Sequence, residues 1–175
     1  VVQALEGLLA QSHPPRTIHV CVNGSTDATY KLASDMARAE STLDVFLSPE
    51  NEVGKPRAWK RIVNRLQEKY ILFTDGDVLL DRFAGEHLLK TLSNDDELAL
   101  VGGASASFCE DPTTLFSRYF SMHNSGRIIP TDYVVGRMYM IDLPFMQQLA
   151  DEREVPLMPE EIVNEDQYLG FIASG

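Results

Sequence analysis

Segments with the pattern of strands and segments with the pattern of helices alternate along nearly the whole chain of 175 residues. β-Branched or apolar runs, which favour strands, occur at residues 17–22, 43–47, 70–74, 98–101 and 138–141. Apolar residues at helical spacing lie between these runs, as at Trp59, Ile62, Val63 and Leu66. Such alternation predicts α/β layering with a mostly parallel sheet. The length fits a single domain, residues 1–175.

Further helices are expected on both sides of this central region. The chain opens with Leu5, Leu8 and Leu9 on one face of a predicted helix. Other helices are expected around residues 83–92 and 114–122, after Pro144, and from about Glu165. The chain begins without Met and inside a helical pattern, and it stops abruptly, so we expect a piece of a longer protein.

The charge balance restricts the class of partner. The 15 basic and 26 acidic residues give a formal net charge of −11, which repels nucleic acid at long range. A compact phosphorylated ligand remains compatible with this charge, provided that a metal or a few cations make the local electrostatic potential positive.

The cysteine content and hydropathy bear on the cellular compartment. Two cysteines, Cys21 and Cys109, form no disulfide framework and favour a reducing compartment. No apolar run is long enough to span a bilayer. We expect a cytoplasmic segment, with any membrane association made by parts outside it.

A pair of carboxylates, Asp75 and Asp77, follows the wholly apolar run 70–74 and is separated by Gly76. A run without alternation is typical of a central strand covered on both faces, and ligands bind at the carboxyl ends of such strands. Hard oxygen ligands suit Mg²⁺ or Mn²⁺, which take their remaining ligands from water and substrate phosphates. The alternative is a polar turn. An EF-hand is excluded because Leu79 and Leu80 stand where a ligand and a glycine are needed.

A second polar cluster, residues 23–27, follows the strand-like run 17–22. Ser25 or Thr26 is expected to cap the next helix, with Asp27 in its first turn. Polar side chains and free N–H groups there suit a nucleobase, ribose or phosphate. The alternative is a capped turn without a ligand.

A third cluster precedes the last predicted helix. Asn164 is expected to be its N-cap, which places Asp166 in the first turn, where the helix dipole favours the ionised carboxylate. An ionised carboxylate can act as a general base. The alternative is an acid that only stabilises an exposed helix end.

These three clusters, in this order, resemble those of family 2 glycosyltransferases. The family typically has an Asn/Asp-Gly-Ser-Thr-Asp turn, an Asp-x-Asp after a strand, and a Glu-Asp pair opening a late helix. Residues 8–15 are also similar to its first helix and the approach to its second strand. The resemblance implies a GT-A nucleotide-diphospho-sugar transferase fold, a Rossmann-like three-layer α/β/α arrangement with a mostly parallel central sheet.

The resemblance also implies roles for individual residues. Asp77 would ligate Mg²⁺ or Mn²⁺ on the diphosphate, Asp75 would contact ribose or the metal, and Asp166 would be the catalytic base. The donor nucleotide would lie beside Asn23, Asp27, Lys55 and Arg57. The implied reaction is an inverting transfer from a nucleoside-diphosphate sugar to a hydroxyl of a sugar, lipid-linked or protein acceptor, in polysaccharide or cell-envelope biosynthesis.

The chain also departs from the family pattern. Val22 stands where an acidic residue often precedes the first turn. The family's first strand and the Gln-x-x-Arg-Trp motif of its processive members are absent from this sequence. One alternative is therefore a sugar-nucleotide-binding module without catalysis. A weaker alternative is a phosphohydrolase of the haloacid dehalogenase type, since a strand followed by Asp-x-Asp can supply its nucleophile and acid.

Overall fold

A computed structural model describes residues 1–104 and 137–174. The helix predicted at 114–122 and Cys109 lie outside these residues. Within them the chain forms, in order, α1 (Val2–Leu9), β1 (Ile18–Val22), α2 (Thr29–Ala37), β2 (Leu43–Leu47), a 3-10 turn (Glu50–Glu52), α3 (Lys55–Val63), β3 (Tyr70–Thr74), α4 (Ala84–Ser93), β4 (Leu100–Gly102), β5 (Met138–Asp142), α5 (Leu143–Glu152) and α6 (Glu165–Ala173). The longest of these helices have ten residues, and none in the described ranges is long and apolar enough to cross a membrane.

The predicted alternation of strands and helices is confirmed in the described ranges. The bounds of β2 and β3 coincide with the apolar runs 43–47 and 70–74, whereas β4 is short and starts two residues later than expected. The helix expected after Pro144 already begins at Leu143, with Pro144 in its first turn. Proline is tolerated there because the first N–H groups of a helix have no intrahelical acceptor.

The strands form two separate sheets. β1 and β2 pair in parallel, from Ile18 opposite Leu43 to Val22 opposite Leu47. The other sheet has the order β3-β5-β4, and its middle strand β5 runs antiparallel to both neighbours. The predicted parallel pairing thus holds for the first sheet, whereas both pairings of the second sheet are antiparallel because β5 runs opposite to β3 and β4.

Each sheet has its own apolar core. Leu5, Ile18, Ala33 and Leu43 join α1 and α2 to the first sheet. The larger core lies behind the second sheet, where α5 packs on β5 and α6 packs on α5 and β4. Its side chains include Ile141, Met146, Leu169 and Ile172, which are fully buried. This packing holds α6, and the acidic residues at its start, against the second sheet.

A cavity of about 680 Å³ separates the two sheets. Its walls include β1 residues 18–21 and β3 residues 70–74, together with Leu5 and Leu8 of α1. The carboxyl ends of β1 and β3 nevertheless reach one place, because the N-terminal segment of α3 contacts both. The backbone N–H of Gly54 bonds to Asn23 after β1, and Lys55 pairs with Asp75 after β3.

Candidate active site

The loop after β1 is tied to the start of α3. Asn23 Oδ1 accepts a hydrogen bond of 3.0 Å from the backbone N–H of Gly54. Gly24 has a φ of +72°, and a Cβ built there would lie 2.8 Å from Val53 Cγ1, so both backbone and space favour glycine. The side chain of Asn23 therefore shapes the edge of the site through the loop that precedes α3.

Lys55, the first residue of α3, joins two acidic residues from different parts of the chain. Its Nζ lies 2.9 Å from Asp75 Oδ1 and 2.5 Å from Glu165 Oε1. The exposed fractions of these side chains are 49% for Lys55, 36% for Asp75 and 6% for Glu165. The three predicted regions around Lys55, Asp75 and residues 164–166 thus form one site.

These ion pairs keep Lys55 protonated. Partial burial acts to lower the pKa of Lys55, but hydrogen bonds and charge attraction from Glu165 and Asp75 outweigh it and raise the pKa above its ordinary value. The ammonium therefore remains a cation at neutral pH, with one carboxylate partner on β3's carboxyl end and one on α6.

Three stacked aromatic residues back the acidic groups. Trp59 and Tyr139 lie on either side of Phe73, with ring centroids 5.1 Å apart in both pairs. Trp59 Nε1 donates a buried hydrogen bond of 2.9 Å to the hydroxyl oxygen of Tyr139. This column connects α3, β3 and β5, so it fixes the strand end that carries Asp75.

The pKa of the Tyr139 hydroxyl responds to burial and to the charges of three carboxylates. Burial raises the pKa of Tyr139 far above its ordinary value, and the charges of Glu165, Asp166 and Asp75 raise it further, whereas the hydrogen bond from Trp59 lowers it. Tyr139 is therefore a neutral phenol at any ordinary pH. The two acids at the start of α6 and the acid after β3 share one electrostatic environment.

The metal prediction rests on Asp75 and Asp77. Asp75 is half-buried and paired with Lys55, whereas Asp77 is exposed. Across residues 1–104 and 137–174, no group of three or more His, Cys, Asp or Glu is arranged to hold a metal ion. Two carboxylates fit Mg²⁺ or Mn²⁺ when the ion takes its remaining ligands from water and substrate phosphates. They are too few for a metal ion that is coordinated by protein ligands alone.

Asp166 occupies the position predicted for it. It is the second residue of α6, half-buried, and lies in the first helical turn. Asn164 is at the N-cap position, as expected, but its side-chain amide donates to Gln167 Oε1 at 3.3 Å instead of capping the helix.

The predicted cap of α2 is wrong. The helix begins at Thr29, so Ser25 and Thr26 lie too far ahead to cap it, and Asp27 precedes the first turn. Asp27 Oδ1 instead accepts a hydrogen bond of 2.9 Å from the backbone N–H of Thr29. Hydrogen bonds from the side chain and then the backbone of Thr29 lower the pKa of Asp27. An Asp side chain that bonds two residues ahead forms a local turn, and this turn delays the helix.

Arg57 and Lys55 face different partners although both lie near the start of α3. Arg57 Nε is 3.9 Å from Glu160 Oε2, and Lys60 Nζ is 2.8 Å from the other oxygen of Glu160. Glu160 therefore lies against α3, where Arg57 and Lys60 both pair with it.

Glu165 and Tyr139 are site residues to which the sequence prediction gave no role. Glu165 shares a helical face with Leu169 and Ile172, at spacings of four and seven, and this pattern could have indicated that its carboxylate is buried. Tyr139 had no comparable signal, because its partner Trp59 lies 80 positions away in the chain.

One solved structure with the same fold is the mannosyltransferase PcManGT from Pyrobaculum calidifontis in complex with GDP-Man and Mn²⁺. The superposition has a TM-score of 0.65 at 18% identity and covers 97% of this chain and 46% of that chain. The chain therefore spans about half the length of that enzyme. The likeness confirms the predicted α/β arrangement as a GT-A glycosyltransferase fold.

Sequence comparison identifies the family. A search of curated proteins finds no match. The family model for glycosyl transferase family 2, however, matches residues 1–145, which is most of the chain. The turn at residues 23–27, Lys55 and the acidic pair at 75 and 77 all fall within the matched region, and the chain belongs to glycosyl transferase family 2.

Proposed function

We propose that this chain is the donor-binding and catalytic part of an inverting glycosyltransferase, which moves a sugar from a nucleoside-diphosphate sugar to an acceptor hydroxyl. The observation that carries the proposal is the meeting of Lys55, Asp75 and Glu165, which brings the acidic pair after β3 beside the start of α6. Family membership and a structural neighbour bound to GDP-Man and Mn²⁺ support the same reaction class.

The diphosphate of the donor is the group that this site suits. Asp77 and Asp75 would hold Mg²⁺ or Mn²⁺, which would supply charge stabilisation for the leaving nucleoside diphosphate. Lys55 adds a positive charge at the same strand end. In a chain with a net charge of −11, these cations supply the local attraction that a diphosphate needs. Asn23, Asp27 and Arg57 are the proposed contacts on the nucleoside side.

Asp166 is the proposed general base. The acceptor hydroxyl oxygen attacks the anomeric carbon, its proton passes to the Asp166 carboxylate, and the bond from the anomeric carbon to the diphosphate breaks with its electron pair on the leaving phosphate oxygen. A single displacement of this kind inverts the anomeric configuration. Asp166 lies in the first turn of α6, and a positioned carboxylate can act as a general base. Sugar, lipid-linked and protein hydroxyls are the acceptor classes to be compared.

A binding screen tests the donor half of this proposal. The full-length protein is titrated with nucleoside diphosphates and their sugars, with and without Mn²⁺, and its thermal stability is followed. At about 100 times the Kd, a ligand adds about 2.7 kcal/mol of stability. The Asp77→Ala protein should lose the metal-linked stabilisation, and the Asp96→Ala protein, which lacks another exposed carboxylate, should keep it. No metal-linked stabilisation by any nucleotide would contradict the proposal.

The alternatives predict other outcomes. Mn²⁺-dependent nucleotide binding without transfer or donor hydrolysis would indicate a binding module. Phosphate release from a generic phosphomonoester, with an acyl-phosphate trapped on Asp75, would indicate a phosphohydrolase.

A further inference from the structure

We propose that Lys55 is a positioning residue that exchanges partners. In the free protein its ammonium holds Asp75 and Glu165 together, and when a divalent cation and a diphosphate bind, it leaves Asp75 for a phosphate oxygen while Glu165 retains it. This inference rests on the proposed function and adds a competition between Lys55 and the metal for the same carboxylate.

The two ion pairs of Lys55 differ in burial. Glu165 is buried on α6, and an uncompensated carboxylate there is costly, so its bond of 2.5 Å to the ammonium is the one that the fold retains. Asp75 is more exposed, and water can replace the ammonium at its oxygen. The contact with Asp75 is therefore the one that a ligand can break.

The chemistry of lysine suits this exchange. An ammonium has three N–H donors on a flexible stem, so it can stay on Glu165 and turn another donor from a carboxylate to a phosphate. Its mobility is compatible with the exposed fraction of 49% for the side chain. Glu165 thus holds the Lys55 ammonium in place. Lys55 in turn lies close enough to Asp75 to compete with a metal ion for its carboxylate.

Charge counting predicts the direction of the competition. Lys55 is the cation that pairs with both Asp75 and Glu165, and Asp166 directly follows Glu165 in α6. Removing this cation frees Asp75 and leaves the site more negative, which favours Mn²⁺ alone. It also removes a donor to the phosphates, which disfavours the nucleotide. The two affinities should therefore change in opposite directions.

The test uses the full-length protein, Mn²⁺ alone as the first probe, and GDP or UDP in saturating Mn²⁺ as the second. Titration calorimetry should show that Lys55→Met binds Mn²⁺ about three- to tenfold more tightly and binds the nucleotide at least tenfold more weakly. Lys55→Arg, which retains the charge, should stay close to wild type for Mn²⁺. The matched control is Lys60→Met, on the same helix but paired with exposed Glu160, and neither affinity should change.

A second variant covers the case in which Lys55→Met does not fold because Glu165 is left buried without a partner. The double variant Lys55→Met, Glu165→Gln leaves the net charge of the site unchanged but still releases Asp75 from Lys55. It should show the same opposite changes, with a smaller gain in Mn²⁺ affinity than Lys55→Met because the site does not become more negative. Mn²⁺ affinity no higher than wild type in the folded variant would overturn the exchange but leave the proposed function intact. Absence of Mn²⁺-linked nucleotide binding in the wild type would instead overturn the proposed function.

Discussion

The buried hydrogen bond between Trp59 and Tyr139 makes a quantitative prediction for the substitution Tyr139→Phe. The change removes one hydroxyl and keeps the ring that stacks on Phe73. Trp59 and Tyr139 are 5% and 2% exposed, so water cannot replace the lost acceptor of Trp59 Nε1–H. Leaving a buried donor unsatisfied costs about 1–3 kcal/mol. We therefore expect the free energy of unfolding to fall by that amount.

Urea denaturation followed by tryptophan fluorescence measures this change, since Trp59 is the one tryptophan of the chain. For a domain of this size, each kcal/mol corresponds to a fall in Tm of about 2–4 °C. The control is Tyr168→Phe, which removes a hydroxyl that donates to the backbone oxygen of Pro156 at 2.6 Å near solvent. Water can replace that bond, so the control should lose less than about 0.5 kcal/mol. Equal losses in both proteins, or no loss in Tyr139→Phe, would refute the reasoning.

Two further substitutions test the turn after β1 and the core behind β5. Gly24→Ala should lose about 1–2 kcal/mol of stability, because alanine disfavours a φ of +72°, whereas Gly76→Ala, with open space around its Cβ, should change by less than about 0.5 kcal/mol. Ile141→Ala should lose about 2–5 kcal/mol, because it leaves a cavity at a fully buried site, and Leu32→Ala on the exposed face of α2 should be nearly neutral. Denaturant titration measures the free energy of unfolding of each variant. In each pair the first variant should be the less stable one, and equal or reversed stabilities would contradict the explanation given for that pair.

The order of strands and helices could be predicted because each depends mainly on local pattern. The apolar run ending at Thr74 has the bounds of β3, and the helical spacing of Trp59 and Val63 indicates the face of α3 that packs on the core. The start of α2 could not be predicted in this way. Ser25, Thr26 and Asp27 are all good capping residues, and only the structure shows that Asp27 forms a turn with Thr29.

The contacts of the site depend on long-range packing, which no local pattern reports. Lys55 and Glu165 lie far apart in the sequence and meet because α3 and α6 pack near the end of β3. The sequence indicated that Asp166 would lie in the first turn of a helix, but the burial of Glu165 follows from how α6 rotates against the core. The resemblance to the family likewise predicted that the nucleotide lies beside Lys55. It did not predict that Asp75 and Glu165 both pair with the Lys55 ammonium.

Turnover by Asp166→Asn is the most direct test of the central claim, that this site transfers sugar with Asp166 as the base. The full-length protein is supplied with the donor found in the binding screen, Mn²⁺ and an acceptor, and product is followed at saturating donor. The substitution retains the shape of the side chain and removes its capacity to accept the proton. We expect donor affinity to stay within about twofold of wild type and kcat to fall by about 10²–10⁴. A kcat equal to that of the wild type would contradict the account.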